Sequence, residues 1–288
     1  MEKTIEYSFL LEGAVVHVMD MTYRCFEQAL PAHTHGENAY EFHYVVEGRG
    51  NVILKGVSYE AVPGILYVTG PGIKHEQIPE KGHFFTEFGI YLQVSHSGAP
   101  EGAVLHLLMD TPCFFGRGTA ELSAIVSALM REQKERQIGF EEKITHLLAE
   151  FLIACVRNYE TEPLPAVCRK AQSTGNPRPF VGHAGSQLVM DEIFLYEYRD
   201  ITLDALAHRL GFSVRQTQRW IRKVYGKSFQ EKKLEARMSA AAMLLVNSDE
   251  KITNISDRLG YSSIEHFSSA FSRYFGISPR RYRKQNAE

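Results

Sequence analysis

The sequence predicts a multidomain α+β protein of 288 residues. Its expected parts are an N-terminal β-barrel, a helical pair, and a C-terminal all-α domain built on two helix-turn-helix units. Three observations predict this. Short apolar stretches alternate with turn signals through the first hundred or so residues, two helical stripes follow, and one small unit then occurs twice near the C-terminus. The implied boundaries are 1–118 for the β domain, 119–159 for the helical segment, 160–185 for a linker and 186–288 for the helical domain.

The β reading rests on the stretches Ala14 to Met19, Tyr40 to Val46, Asn51 to Leu54, Ile65 to Val68 and Phe84 to Leu92. Between them stand Glu47-Gly48-Arg49-Gly50, Lys55-Gly56, Pro63-Gly64 and Gly70-Pro71-Gly72, which are turn formers. Many short strands at close spacing predict a sandwich or small barrel, and an open barrel mouth is a common ligand site. Residues i and i+2 of a strand share a face. His33 and His35 therefore point together, as do Glu41 and His43. Tyr40, Phe42, Tyr44, Phe88 and Tyr91 are candidates to line such a site, although aromatics on strands are commonly plain core.

Leu122, Ile125, Val126 and Leu129 form one helical stripe, and Ile144, Leu147, Leu148, Phe151, Leu152 and Cys155 another, with Ile138-Gly139 between them. Such stripes pack either on the barrel or on a second copy of the chain. Residues 160–186 carry four prolines, three glycines and no apolar period, the composition of a linker. The four cysteines, Cys25, Cys113, Cys155 and Cys168, contain no CxxC pair and read as reduced, incidental thiols.

The repeat runs from Ile201 to Phe229 and again from Lys251 to Pro279. Leu203, Leu206 and Leu210 recur as Ile252, Ile255 and Leu259, and Arg209-Leu210-Gly211-Phe212-Ser213 recurs as Arg258-Leu259-Gly260-Tyr261-Ser262. One residue is then inserted, so that Ile221 and Gly226 answer to Phe271 and Gly276. In each copy a short apolar-striped helix ends at a glycine (Gly211, Gly260) suited to a left-handed C-cap. A serine (Ser213, Ser262) then offers an N-cap to the next helix. The second helix has an apolar back: Ile221 and Val224 in one copy, Phe267, Ala270, Phe271 and Tyr274 in the other. A helix with the spacing Leu234, Met238, Ala241, Leu245 joins the copies. The polar front of the first copy, Arg215, Gln216, Gln218, Arg219 and Arg222, holds the side-chain types that pair with base edges and phosphates. Charge agrees. Residues 186–288 hold 17 Lys+Arg against 12 Asp+Glu, whereas residues 1–185 hold 15 against 22. The basic end is the nucleic-acid end. No apolar run of eighteen or more and no basic-then-apolar leader occurs, so the expectation is a cytoplasmic protein without a membrane span.

Residues 186–284 resemble the DNA-binding domain of the AraC/XylS family of bacterial transcription regulators. The match lies in the helix ending Ala-Ala-Met-Leu-Leu, in ISDRLGYSS, in FSSAFSRYFG and in SPRRYR. The resemblance implies two helix-turn-helix units on a linking helix that enter successive major grooves of double-stranded promoter DNA. By position the first brings Arg215, Gln218 and Arg219 to bases, and the second Ile264, Glu265, Ser268 and Ser269. Gln216, Arg222, Lys223, Arg273 and Arg281 complete the expected DNA-binding set. Lacking Arg and Gln, the second set should specify bases more weakly and lean on phosphate contacts and shape.

The N-terminal part resembles a cupin. His33-Thr34-His35, then Glu41 with six residues to Gly48, is similar to the first cupin motif, and Gly70 to His75 to the second. The His35–Glu41 gap is longer than usual, Gly70 stands where Pro is normal, and Pro79 where Asn is normal. The likeness implies a divalent transition metal (Zn, Mn, Fe, Ni or Cu) held by His33, His35, Glu41 and His75. The alternative is a metal-free pocket in which those residues and His43 hydrogen-bond an organic effector, a sugar or other polar metabolite at the level of the family. Family resemblance further implies a homodimer through the helical pair and contact with RNA polymerase. Two function classes remain at this point: a dimeric, effector-responsive transcription regulator, and a metal-dependent cupin enzyme fused to a DNA-binding tail. A third reading is a regulator whose cupin binds nothing and responds through protein contacts alone.

Overall fold

The computed structural model describes residues 7–96, 102–161, 168 and 184–286. The chain divides into two compact units, one of most of the strands and the helices that follow them, the other of the C-terminal helices together with residues 28–34. The proline-rich segment expected as a linker lies largely outside the described residues.

The strands are β1 (Tyr7–Leu11), β2 (Ala14–Phe26), β3 (Leu30–His33), β4 (Ala39–Gly48), β5 (Gly50–Leu54), β6 (Val57–Ala61), β7 (Ile65–Thr69), β8 (His75–Pro79), β9 (Phe85–Ser95) and β10 (Cys113–Arg117). Among them are α1 (Ala103–Asp110), and after them α2 (Ala120–Glu135) and α3 (Phe140–Thr161). Two antiparallel sheets result, of order β1-β2-β9-β4-β7-β10 and β3-β8-β5-β6. They are not closed into one ring, and the β-rich N-terminal domain ahead of an all-α C-terminal domain is the architecture the sequence predicts. Tight turns set the register at two hairpins: Glu12-Gly13 (φ 49° and 78°) joins β1 to β2, and Lys55-Gly56 (φ 50° and 85°) joins β5 to β6. Two successive residues at positive φ match the right-handed twist of the flanking strands.

β4 shows how the strands divide their labour. Tyr40, Phe42 and Tyr44 join the apolar core together with Leu66, Val68, Phe88, Ile90 and Leu92 of the same sheet. That core is completed by Leu122, Ile125, Val126 and Leu129 of α2 and by Ile144, Leu148, Phe151, Leu152 and Cys155 of α3. Both helical stripes are thus spent on the sheet of their own chain, and the structure takes the packing alternative left open by the sequence. Alternation sends Glu41 and His43 to the opposite face of β4, toward the second sheet. Phe42 alone, with its ring edge-on to Phe151 at 5.8 Å, removes enough apolar surface for roughly 2–3 kcal/mol. One core therefore lies between sheet and helices, while the space between the sheets holds the buried Val52, Leu54 and Phe85 together with the polar Glu41, His43, His75 and Gln77.

Cys113 and Cys168 are joined as a disulfide, which corrects the reading of four incidental thiols; Cys25 is free and exposed, Cys155 free and buried. The pairing was invisible because the two residues lie 55 positions apart.

The second unit comprises α4 (Ala184–Tyr196), α5 (Leu203–Leu210), α6 (Val214–Tyr225), α7 (Phe229–Asn247), α8 (Ile252–Arg258), α9 (Ile264–Phe275) and α10 (Pro279–Asn286). α7 serves two cores. Its Phe229 packs with Met190, Ile193, Phe194, Leu206, Ile221 and Val224 around the first helix-turn-helix. Its Met238, Ala241, Leu244 and Leu245 pack with Ile255, Leu259, Phe267 and Phe271 around the second. Two residues of the expected apolar faces lie at the surface instead: Leu234 is 39% and Tyr274 43% exposed.

Candidate functional site

The space between the sheets gathers the histidines. His33 ends β3, His35 follows it, Glu41 and His43 sit on β4, and His75 opens β8. His33, His35, Glu41 and His75 each offer one ligand atom, and these atoms all lie within 4.8 Å of one another. His35 Nε2 is 2.9 Å, His43 Nε2 3.2 Å and His75 Nε2 3.4 Å from the same oxygen, Glu41 Oε2.

The tautomers narrow the chemistry. His75 Nδ1 is 3.0 Å from the Ile73 carbonyl and His33 Nδ1 2.9 Å from the Pro31 carbonyl. A carbonyl only accepts, so each Nδ1 donates its proton there. A neutral ring then turns its Nε2 lone pair inward, the orientation that an outer hydrogen bond fixes in metal-ligating histidines. Burial, with the neighbouring His35 and His43, holds the His75 pKa below the ordinary histidine value against the pull of Glu41. Neutral His75 and ionised Glu41 therefore face each other as two acceptors, an arrangement that a cation between them relieves. Burial works against the Glu41 charge, but His35 and His43 outweigh it and keep its carboxyl well below the usual range. Three imidazoles and a carboxylate fit a borderline divalent ion. Donors about 2.1 Å from one ion stand roughly 3.4 Å apart in a tetrahedral site and at most about 4.2 Å apart across it, so the widest pair would close by about 0.6 Å or more.

His43 stands aside from that group. Its Nδ1 is 2.9 Å from Glu87 Oε1, and its ring stacks on Tyr67 with centroids 4.2 Å apart. The Tyr67 hydroxyl donates to Glu87 Oε2, and Gln77 Nε2 donates to the Tyr67 oxygen at 3.2 Å. Burial depresses the His43 pKa, yet the flanking carboxylates Glu87 and Glu41 overcome it and raise the value to about 9. Burial lifts the Tyr67 phenol well above its usual range, with Glu87 adding to it. Glu87, Tyr67 and Gln77 were missed in the sequence, because only the strand register puts β7, β8 and β9 beside His43. Of the five aromatic candidates, only Tyr91 faces inward, its ring edge-on to His35 at 5.2 Å. Tyr40, Phe42, Tyr44 and Phe88 belong to the helix-packed core.

The departure at Gly70 has a physical cause. Its N–H donates to the Pro112 carbonyl at 2.6 Å, and a Cβ there would stand 2.8 Å from that oxygen and from the Tyr40 ring. Proline supplies no such donor.

In the second unit α6 starts in a capping box. The Ser213 side chain accepts from Gln216 N–H, and Gln216 Oε1 accepts from Ser213 N–H at 2.9 Å. Gln216, expected among the DNA contacts, thus serves the start of the helix. Arg215, Gln218, Arg219 and Arg222 stand at i, i+3, i+4 and i+7, all exposed, with Lys223 beside them. Thr217, Ile221 and Val224 are buried on the opposite side. Lys223 Nζ lies 5.1 Å from the Trp220 ring centroid.

α9 is also twelve residues long, but its N-cap is Ser263, which accepts from His266 N–H at 3.3 Å. Ser262 instead meets His266 Nδ1 at 3.1 Å, so the expected Ser262 cap is corrected by one residue. The inserted residue therefore lies in the turn, and α9 aligns with α6 so that Ile264 answers to Val214 and Glu265 to Arg215. Glu265, Ser269 and Arg273 are exposed, Ile264 and Ser268 half-buried. His266, which the sequence reading passed over, is exposed on the same helix. Arg281 is exposed on α10. Arg209 and Arg258, the repeated arginines, form ion pairs with Glu197 and Glu250 at 2.5 and 2.8 Å, so both hold their own units together.

Known proteins share these features. A family model described as an AraC-like ligand binding domain matches residues 19–152, and one described as a helix-turn-helix domain matches residues 206–285. The Msm operon regulatory protein of Streptococcus mutans is 22% identical over 255 residues, which cover 85% of this chain and 84% of that one. The HTH-type transcriptional regulator ArgR of Pseudomonas aeruginosa is 33% identical over 85 residues, 30% of this chain and 26% of its own length. Among solved structures, the C-terminal domain of AraT, a response regulator from Geobacillus stearothermophilus, shares 32% identity with a TM-score of 0.33, covering 35% of this chain and 84% of that one. The chain belongs to the AraC family of transcription regulators, with an AraC-like ligand-binding domain ahead of a helix-turn-helix DNA-binding domain.

Proposed function

We propose that this regulator binds promoter DNA as a homodimer and answers to a small molecule held between its two sheets. We take the sensing domain as cupin-like over 1–118, the helical segment as 119–159, the tether as 160–185 and the DNA-binding domain as 186–288. Arg215, Gln218 and Arg219 read base edges, and Arg222, Lys223, Arg273 and Arg281 hold phosphates. Ile264, Glu265, Ser268 and Ser269 make the second, weaker reading. The protein works in the cytoplasm, contacts RNA polymerase and catalyses no reaction of its own. The stripes of α2 and α3 pack on their own sheet, so the homodimer contact of the helical pair would use the outward faces of those helices.

The inter-sheet site holds a divalent transition metal through His33, His35, Glu41 and His75. The observation that supports this is the pair of facing acceptors, His75 Nε2 and Glu41 Oε2, 3.4 Å apart. The ion would supply a Lewis-acidic anchor for an oxygen-bearing effector; His43, Tyr67 and Glu87 would position it. A native mass spectrum of protein purified without added metal or chelator tests the assignment. A dimer with one metal per chain, lost in His35→Ala, is the expected result. A metal-free dimer would reduce the cluster to hydrogen-bonding groups of an organic effector pocket, the second reading. A monomer would remove the dimer.

A further inference from the structure

A tight turn over residues 197–201 leads from α4 into the first helix-turn-helix. The Glu197 carbonyl accepts from Asp200 N–H at 3.3 Å and from Ile201 N–H at 3.2 Å, and the Glu197 side chain pairs with Arg209 of α5. The turn belongs to two cores at once. Ile201 is buried in the first, with Met190, Leu206 and Ile221. Tyr198, three positions earlier, packs against the second, with Ile255, Leu259 and Phe267.

α7 reaches this turn with two cations. Lys233 Nζ donates to the Ile201 carbonyl at 2.5 Å. Arg237 takes the other two carbonyls: its Nε donates to that of Tyr198 at 3.3 Å and its Nη2 to that of Arg199 at 2.6 Å. Arg237 Cζ also lies 5.4 Å from the ring centroid of Tyr261, in the turn of the second helix-turn-helix. Gly260, beside Tyr261, stands at φ 77°, and a Cβ there would meet Arg199 Cγ at 2.9 Å. One planar guanidinium thus joins the turn that leads into α5 to the turn that leads into α9. A rigid fork can hold two carbonyls and a ring face together, which the single ammonium of lysine cannot.

We propose that Arg237 is a positioning residue that fixes the separation of α6 and α9, and so makes the spacing between the two half-sites part of what the protein reads. Apolar packing of α7 on each core is non-directional, whereas charge-assisted hydrogen bonds set distance and angle. One added base pair moves the second half-site by about 3.4 Å and turns it by about 35° around the DNA axis. A clamped pair of helices cannot follow that displacement; an unclamped pair can. The assignment rests on the reading in which both α6 and α9 face DNA, and it is independent of metal or effector.

The test selects bound duplexes from a random-sequence library with the full chain, wild type against Arg237→Met, and reads the distance between the two enriched half-sites. Wild type should enrich a single spacing, about 10 base pairs between half-site centres. Arg237→Met should keep both half-sites and spread their spacing by about one base pair either way. On the selected duplex with one base pair inserted, wild-type affinity should fall about tenfold or more, and that of Arg237→Met only about two- to threefold. An equally sharp spacing in Arg237→Met, even with a lowered thermal midpoint, would make the residue merely structural and overturn the proposal. So would a wild type that accepts the inserted base pair. Selection of a lone half-site by wild type would instead deny α9 its DNA contact, and the proposal would fall with that reading. Tyr261→Leu removes the ring contact and leaves both carbonyl bonds; it should widen the spacing in the same sense, and it decides the question should Arg237→Met fail to fold.

Discussion

Raising the pH should destabilise this protein through one residue. His43 is held between Glu87 and Glu41, at 2.9 and 3.2 Å, with its pKa raised to about 9. A histidine whose folded pKa exceeds the unfolded value binds its proton preferentially in the folded state. Its contribution is complete below about 6.5 and is lost as pH climbs through 9. The gap between about 9 and the ordinary 6.5 corresponds to about 3 kcal/mol at 1.36 kcal/mol per pH unit. Burial already opposes the charge, so this figure is what remains after that cost. His75 has the opposite sign. Its folded pKa is lowered, so it favours the folded state above the ordinary histidine value and loses that contribution as pH falls. The two windows do not overlap. The measurement is urea unfolding of chelator-treated protein at pH 6.5 and 9.5, wild type against Glu87→Gln. Wild type should lose about 3 kcal/mol between the two pH values, and Glu87→Gln markedly less. Equal stability at both pH values, or an unchanged loss in Glu87→Gln, would refute the reasoning.

Three other outcomes are expected. Ser263→Ala should cost about 1 kcal/mol by removing the α9 cap, and Ser262→Ala only a few tenths; hydrogen exchange of the α9 amides compares them, and the reverse order would place the inserted residue elsewhere. Arg219→Ala should lose about 1–3 kcal/mol on the specific site with relaxed base preference, whereas Lys223→Ala or Arg281→Ala should weaken all sequences and flatten the salt dependence; equal loss of Arg219→Ala on random DNA would make Arg219 a phosphate contact. Reduction of Cys113–Cys168 should lower stability by about 2–4 kcal/mol, since the bond closes a loop across 55 positions; an unchanged denaturation midpoint in reductant would contradict it.

The helical half was legible because its signals are local. Gly211 at φ 66° and Ser213 at a helix start are decided by neighbours within a few positions. The slip at Ser262 shows the limit: two serines in succession compete for one cap, and only the turn geometry chooses between them. Glu41 and His43 share a face of β4 as i and i+2 spacing predicts, whereas β3 ends at His33 and His35 lies beyond it, so the approach of those two comes from the loop and not from strand alternation. Glu87 was not legible, because its place beside His43 depends on β4 pairing with β9 more than forty positions away. Alternation also left the sense of each face open. Tyr40, Phe42 and Tyr44 share a face, but whether that face meets helices or ligand is decided by where α2 and α3 pack. Residues 1–118 held strands too short or too polar to register, β3 and β8 among them, and these carry or adjoin His33 and His75.

β4 is one peptide layer thick, and it separates two unlike environments. Glu41 touches three imidazoles on one side, while its chain neighbours Tyr40 and Phe42 are locked among aliphatic side chains on the other. A displacement of Glu41 would therefore act through the shared backbone on Phe42, whose ring stands edge-on to Phe151 of α3 at 5.8 Å.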